Sequence, residues 1–224
     1  MNLDTLLQRP DIWRGGQVAT QTDAVSTGFA ELDELLPGGG WPRGALTEIL
    51  LTREGIGALR LVMPALARLS RESRWLSWVS PPYIPYAPAL TAAGVDLARV
   101  LLVHPRARQD GLWAVEQSLR SGTCSAVLAW PMLQEPAAMR RLQLAAEAGR
   151  SLGFMFRSAR VAKHPSPAAL RVQLDGDARG NLSVQILKRR GGWAAGPLII
   201  DASHAGPLAL SPSASFAPGG LHPH

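Results

Sequence analysis

Residues 45–71 read ALTEILLTREGIGALRLVMPALARLSR, and the two halves of this stretch obey different periods. Ala45–Leu51 (ALTEILL) is a short, nearly continuous apolar run, the pattern of a strand covered on both faces. From Ile56 to Arg71 the residues Leu59, Met63, Leu66 and Leu69 recur at helical spacing, which predicts a helix. Glycines at 55 and 57 mark the loop between them. Strand, glycine-bearing loop and helix together form the opening unit of an α/β fold.

The alternation continues outward. Trp75–Val79, Val100–His104 and Ala126–Trp130 are short apolar runs bounded by proline or polar residues, as buried parallel strands are. Helices are predicted over Pro85–Ala93, Gln109–Arg120 and Pro136–Gly149, the last with proline at its first position and glycine at its end. After Gly149 the helices stop. Phe154–Phe156, Leu170–Leu174, Leu182–Leu187 and Pro197–Ile200 are strand-like, with turns at Asp175–Gly180 and Arg190–Gly196, so antiparallel strands extending the sheet are expected. The expected fold class is therefore α/β, a mostly parallel sheet with helices on both faces and an antiparallel C-terminal extension.

Composition bounds the rest. The chain has 224 residues, 46% apolar and 18% charged, enough to bury one sizeable core. A single cysteine, Cys124, leaves no disulfide framework or paired-cysteine zinc site and reads as a small buried residue. Asp4 falls where an export leader needs a basic and then apolar run, so a cytoplasmic location is expected. The uncharged stretch Trp75–Val95 contains Pro81, Pro82, Pro85 and Pro88, which disqualifies it as a membrane helix, and no membrane partner is expected. The net charge is +6, and residues 136–191 hold 11 Lys or Arg against 3 Asp or Glu, so the basic excess is regional. Residues 205–224 contain no Lys, Arg, Asp or Glu, and half of them are Gly, Pro or Ser, the composition of a flexible tail. The expected division is an N-terminal helical docking segment at 1–21, one domain at 22–203 and a tail at 204–224. In the first segment Leu3, Leu6 and Leu7, followed by Trp13, form an apolar stripe suited to partner docking.

A family resemblance enters at Val25–Ile49 (VSTGFAELDELLPGGGWPRGALTEI), with Gly94–Val95–Asp96 before the Val100 strand and LSVQILKRR at Leu182–Arg190. In order and spacing these resemble the core of bacterial RecA recombinases, which implies a RecA-like core. In RecA a phosphate-binding loop follows the E-I. The Walker A pattern G-x-x-x-x-G-K-[ST] wraps phosphates in backbone N–H groups, neutralises them with lysine and holds Mg²⁺ through a hydroxyl. Here the matching stretch is Thr52 to Leu59, with Gly55 inside it. Thr52 replaces the first glycine, Ala58 the lysine and Leu59 the hydroxyl, and Gly57 alone survives. The strand that would end in a Mg²⁺-binding Asp ends Ala129–Trp130–Pro131, and the catalytic Glu position falls in Ser80–Pro81–Pro82. No cofactor and no enzymatic activity are expected.

A RecA-like core with this degenerate loop and a Pro/Ser/Gly tail is similar to the ImuA family of SOS-inducible mutagenesis cassettes. The resemblance implies a non-enzymatic adaptor in error-prone translesion synthesis. Its partners would be RecA, the inactive Y-family polymerase homologue ImuB and, indirectly, an error-prone DnaE-type polymerase subunit. Two further readings stand beside it: a SulA-like SOS inhibitor of cell division acting on the tubulin-like division protein, and a degenerate nucleotide-binding protein. The loop after Phe156 carries Arg157, Arg160 and Lys163, matching a RecA loop that touches single-stranded DNA. Lys188 and Arg190 match RecA lysines that reach toward a neighbouring subunit's nucleotide. These five residues are the expected partner or nucleic-acid surface, with single-stranded DNA as a further contact.

Overall fold

The first described element is a short antiparallel pair, Ala24–Val25 (β1) with Trp41–Pro42 (β2), which brackets helix Ala30–Leu35 (α1). This computed structural model describes residues 23–130, 136–177, 179–192 and 194–201. The docking stripe Leu3, Leu6, Leu7 and Trp13 and the 204–224 tail lie outside the described residues. Ala45–Leu51 (β3) leads into Ala58–Leu69 (α2), then Trp75–Val79 (β4), Ala87–Ala92 (α3) and Val100–Val103 (β5). Arg108–Arg120 (α4), Cys124–Ala129 (β6), Pro136–Gly149 (α5) and Leu152–Ser158 (β7) follow. Leu170–Gly176 (β8), Leu182–Arg189 (β9) and Ala195–Ile200 (β10) complete the order.

Among the described residues eight strands form one sheet in the order β10-β9-β8-β3-β7-β6-β4-β5. The six from β8 to β5 run parallel; β9 is antiparallel to β8, and β10 to β9. The expected antiparallel extension is thus present but starts later than the sequence suggests. Both β7 and β8 pair in parallel with β3, from opposite sides. A parallel neighbour needs a crossover. Here residues 159–169 supply one with only a 3₁₀ turn at Ala159–Val161. Two parallel strands joined over an intervening one without a long helix leave no helical period in the sequence.

Alternation along the strands feeds a core on each face of the sheet. Ile49, Trp78, Leu128 and Phe154 pack with Leu61, Val62, Leu66 and Leu69 of α2. Leu46, Val127 and Met155 pack on the other face with Val115 and Leu119 of α4 and Met139 and Leu142 of α5. Trp41 meets Phe154 edge-on, with ring centroids 5.4 Å apart. Beside Leu46 the backbone of β7 comes so close that a Cβ at Gly153 would overlap Leu46 Cδ2. Cys124 is buried, as its setting in an apolar run implies, and burial pushes its thiol pKa up.

The rim strands differ in their edges. β10 contains Pro197, which has no N–H to offer, and its register with β9 shifts between Ala195 and Leu198. β5 has neither device.

Candidate functional site: a cleft at the carboxyl edge of the sheet

Beyond the carboxyl ends of β3, β4, β6 and β7 lies a cleft of about 980 Å³. Ligands of open α/β sheets bind in this place, because the loops diverge there and the strands hold them rigidly. One wall is the loop from Thr52 to Gly57. Thr52 Oγ1 donates to Asp175 Oδ1 at 2.9 Å, and Arg53 donates to the Gly176 carbonyl, so the loop is tied to the end of β8. The Thr52 and Gly176 hydrogen bonds, with Arg53 beside them, hold the Asp175 carboxyl below the usual carboxylate range. Gly57 caps α2 at φ +78°, a left-handed conformation that a residue with a Cβ adopts only at a cost. Ala58 and Leu59 then pack against the core beneath α2. The positions matched to a phosphate-binding lysine and a metal-holding hydroxyl therefore carry apolar groups.

The floor is aromatic. Trp130 stacks on Phe156 at 4.6 Å between ring centroids, with planes 9° apart, and lies 6.0 Å from Trp78. Trp130 thus packs into the floor while still lining the cleft. The opposite wall begins at Ser80, which holds φ +53° at the end of β4 while its N–H donates to the Val103 carbonyl at 2.9 Å. Positive φ at a residue with a Cβ is a strained arrangement that the surrounding structure must impose. Pro81, Pro82 and Tyr83 continue this wall.

The five basic residues singled out from the sequence do not form one surface. Arg157 turns into the fold, where its guanidinium meets Glu48, a carboxylate with no solvent exposure. Arg171 reaches the same carboxylate from β8 at 2.6 Å and donates to the carbonyls of Val161, Ala162 and His164. That knot staples the 159–169 crossover to the sheet. Arg160 stays exposed on the cleft, and Lys163 is exposed further along the crossover. Lys188 donates to the Ser166 carbonyl at 2.7 Å, and partial burial, with Arg171 nearby, holds its ammonium pKa below the usual lysine range. Arg190 lies 3.7 Å from Glu147 at the end of α5. Because β9 ends opposite the start of β8, Lys188 and Arg190 flank the amino edge of the parallel strands, away from the cleft. Sequence reasoning missed Glu48, although a carboxylate inside a run as apolar as ALTEILL is itself a signal that a buried cation must answer it.

Among the described residues no group of His, Cys, Asp or Glu is placed to hold a metal ion, and no helix is long and apolar enough to cross a membrane. The cleft can therefore offer apolar surface and guanidinium groups, and its wall lacks the lysine and hydroxyl of a phosphate-binding loop.

The family model described as cell division inhibitor SulA matches residues 44–153, from the start of β3 into β7. A RecA protein of Latilactobacillus sakei subsp. sakei is 31% identical over 108 residues, 48% of this chain and 30% of that protein. The cell division inhibitor SulA of Edwardsiella piscicida is 39% identical over 66 residues, 30% of this chain and 39% of that protein. The crystal structure of SulA from Pseudomonas aeruginosa aligns with 29% identity and a TM-score of 0.43, covering 50% of this chain and 97% of that one. The chain spans about a third of the length of the curated relatives it matches. The family-model and sequence matches relate the chain to the RecA and SulA proteins.

Proposed function

We propose that this chain is a non-enzymatic, cytoplasmic protein-binding module with a RecA-like core, and that it restrains cell division in the manner of SulA during the response to DNA damage. The observation that carries this reading is the SulA match over 44–153, which takes in β3, the degenerate 52–57 loop and the opposite wall from Ser80 to Tyr83. Apolar Ala58 and Leu59 in place of a lysine and a hydroxyl support binding without nucleotide turnover. The test is sedimentation of the tubulin-like division protein with GTP, with and without this chain. Near-stoichiometric chain should abolish the pellet, and its expression should make cells filament. Unchanged polymer together with normally dividing cells would overturn the reading.

A second reading is favoured by a specific feature. The SulA match stops at residue 153, whereas β8, β9 and β10 continue the sheet beyond it, and RecA proteins match a comparable share of the chain. On that reading the chain is an ImuA-like adaptor of translesion synthesis that binds RecA and ImuB and, through ImuB, a DnaE-type polymerase subunit. Lys188 and Arg190 would then face RecA, with Arg160 and Lys163 free to contact single-stranded DNA. Pull-downs with purified RecA, ImuB and the division protein separate the two readings, because each expects a different bait to retain the chain.

A further inference from the structure

We propose that the cleft at the carboxyl edge of the sheet receives an apolar side chain from an acidic, extended segment of a partner protein, with Arg106 and Arg160 pairing the flanking carboxylates. This rests on the reading of the chain as a protein-binding module and names where, and with what chemistry, the partner would dock.

Three observations choose the occupant. The first is the state of the aromatic floor. Trp130 has Phe156 stacked on it at 4.6 Å and Trp78 tilted against it at 6.0 Å, so one of its faces is already taken and its flank is crowded. A nucleobase needs a free ring face to stack on; an aliphatic or aromatic side chain needs only apolar walls, which Ile56, Leu112 and Trp130 supply.

The second is which charges are spent. Of the four arginines lining the cleft, Arg157 answers Glu48, and Arg53 sits 3.6 Å from Asp175. Among the described residues Arg106 and Arg160 have no side-chain partner and are exposed, and the one carboxylate of those residues that lines the cleft is Glu54, on the 52–57 loop. Two unspent guanidiniums against one carboxylate favour an anionic visitor, and guanidinium pairs carboxylates in a planar, bidentate way.

The third is what the wall lacks. Triphosphate binding needs a lysine and a hydroxyl at the start of α2, and Ala58 and Leu59 stand there instead. A carboxylate on each flank asks for less charge than a triphosphate, and two arginines meet the pair.

The experiment uses the full chain and fluorescence anisotropy with labelled probe peptides. One has a Leu-Phe centre flanked by Asp and Glu, a second the same centre flanked by Lys and Arg, and a third Ser-Ser between the acidic flanks. The acidic Leu-Phe peptide should bind about tenfold tighter than either of the others, as expected when charged hydrogen bonds and an apolar anchor are each lost. The variant Arg106→Glu/Arg160→Glu should lose that preference, with an unchanged melting temperature showing that it is folded. Equal binding of the acidic and basic peptides, or tighter binding of a labelled oligo-dT or of Mg-ATP at the same site, would overturn the inference. Its failure is separable from that of the functional reading: a double variant that suppresses division-protein polymer as well as wild type does sinks the cleft as docking site and leaves the activity standing. A wild-type chain without effect on polymer sinks the activity alone.

Discussion

Arginine appears in two opposite circumstances within one short stretch of this chain. Arg157 and Arg171 are sunk against Glu48, with side-chain exposures of 10% and 8%, and hold the crossover to the sheet. Arg160, three residues after Arg157, stands exposed at the cleft with no side-chain partner among the described residues. The same residue type is a structural fastener in one place and an exposed, unpaired charge among the described residues in the other. What separates them is the strand pleat: Arg157 still belongs to β7 and points into a layer that contains a carboxylate, whereas Arg160 sits on the 3₁₀ turn that leaves the sheet. A count of basic residues in a sequence weighs them equally, and their energetic roles are unequal.

The comparison can be broken at its buried end first. Glu48→Ala leaves two guanidiniums without their carboxylate and should cost about 3–5 kcal/mol in urea unfolding. A loss under about 1 kcal/mol would mean that the knot is not holding the crossover. The triple change Glu48→Met, Arg157→Leu and Arg171→Met sharpens the point, because replacing a whole buried ion cluster with apolar groups is often close to neutral. It should recover most of the lost stability, so a triple variant as unstable as the single one would put the crossover's anchoring in Arg171's three carbonyl contacts instead.

Next in size comes the packing around the knot. Gly153→Ala places a methyl group on Leu46 Cδ2, two residues from Glu48 in the parallel register, and should cost about 1–3 kcal/mol. A neutral result would show that this layer yields. Cys124 reports on the same closed interior by chemistry. Its thiol is buried and pushed up in pKa, so iodoacetamide at pH 8 should react about tenfold more slowly with the folded chain than with the chain in denaturant. Equal rates would mean that the interior opens readily.

The smallest stability effects belong to the open end. Arg106→Ala and Arg160→Ala should each change unfolding free energy by no more than about 0.5 kcal/mol, since exposed side chains without partners contribute little. A larger loss from Arg160→Ala would erase the contrast with Arg157. Restoring the matched nucleotide-binding residues with Ala58→Lys and Leu59→Thr should still leave Mg-ATP binding weaker than about 1 mM, because Thr52, Ser80 and Trp130 remain where the rest of such a site would be. Low-micromolar binding in dialysis would show that the loop geometry alone had been sufficient.

Much of the fold is legible in the chain because the relevant signals are local. Ala45–Leu51 and Trp75–Val79 are strands with the bounds their apolar runs mark, and Pro136–Gly149 is a helix between its proline and its glycine. The degenerate loop is legible too, since the matched positions from Thr52 to Leu59 are adjacent in sequence. The cleft is only half legible: its first wall follows from that loop, but Trp130, Phe156 and Arg106 come from three other segments. The basic surface was not legible as drawn. It joined Arg157, Arg160, Lys163, Lys188 and Arg190 through sequence proximity and resemblance, and the sheet separates Arg160 at its carboxyl edge from Arg190 at its amino edge.

By itself the sequence determined the alternation of strands and helices, the burial of Cys124 and the lack of a phosphate-binding lysine and hydroxyl after β3, because periodicity, composition and motif act over a few neighbouring residues. Only the tertiary structure decided that β8 lies parallel beside β3, that Glu48 draws in Arg157 and Arg171 from 109 and 123 residues away, and which arginines stay exposed. Those outcomes depend on which backbones the sheet sets about 5 Å apart and on which charges burial forces to pair, and neither quantity is carried by residues close in the chain.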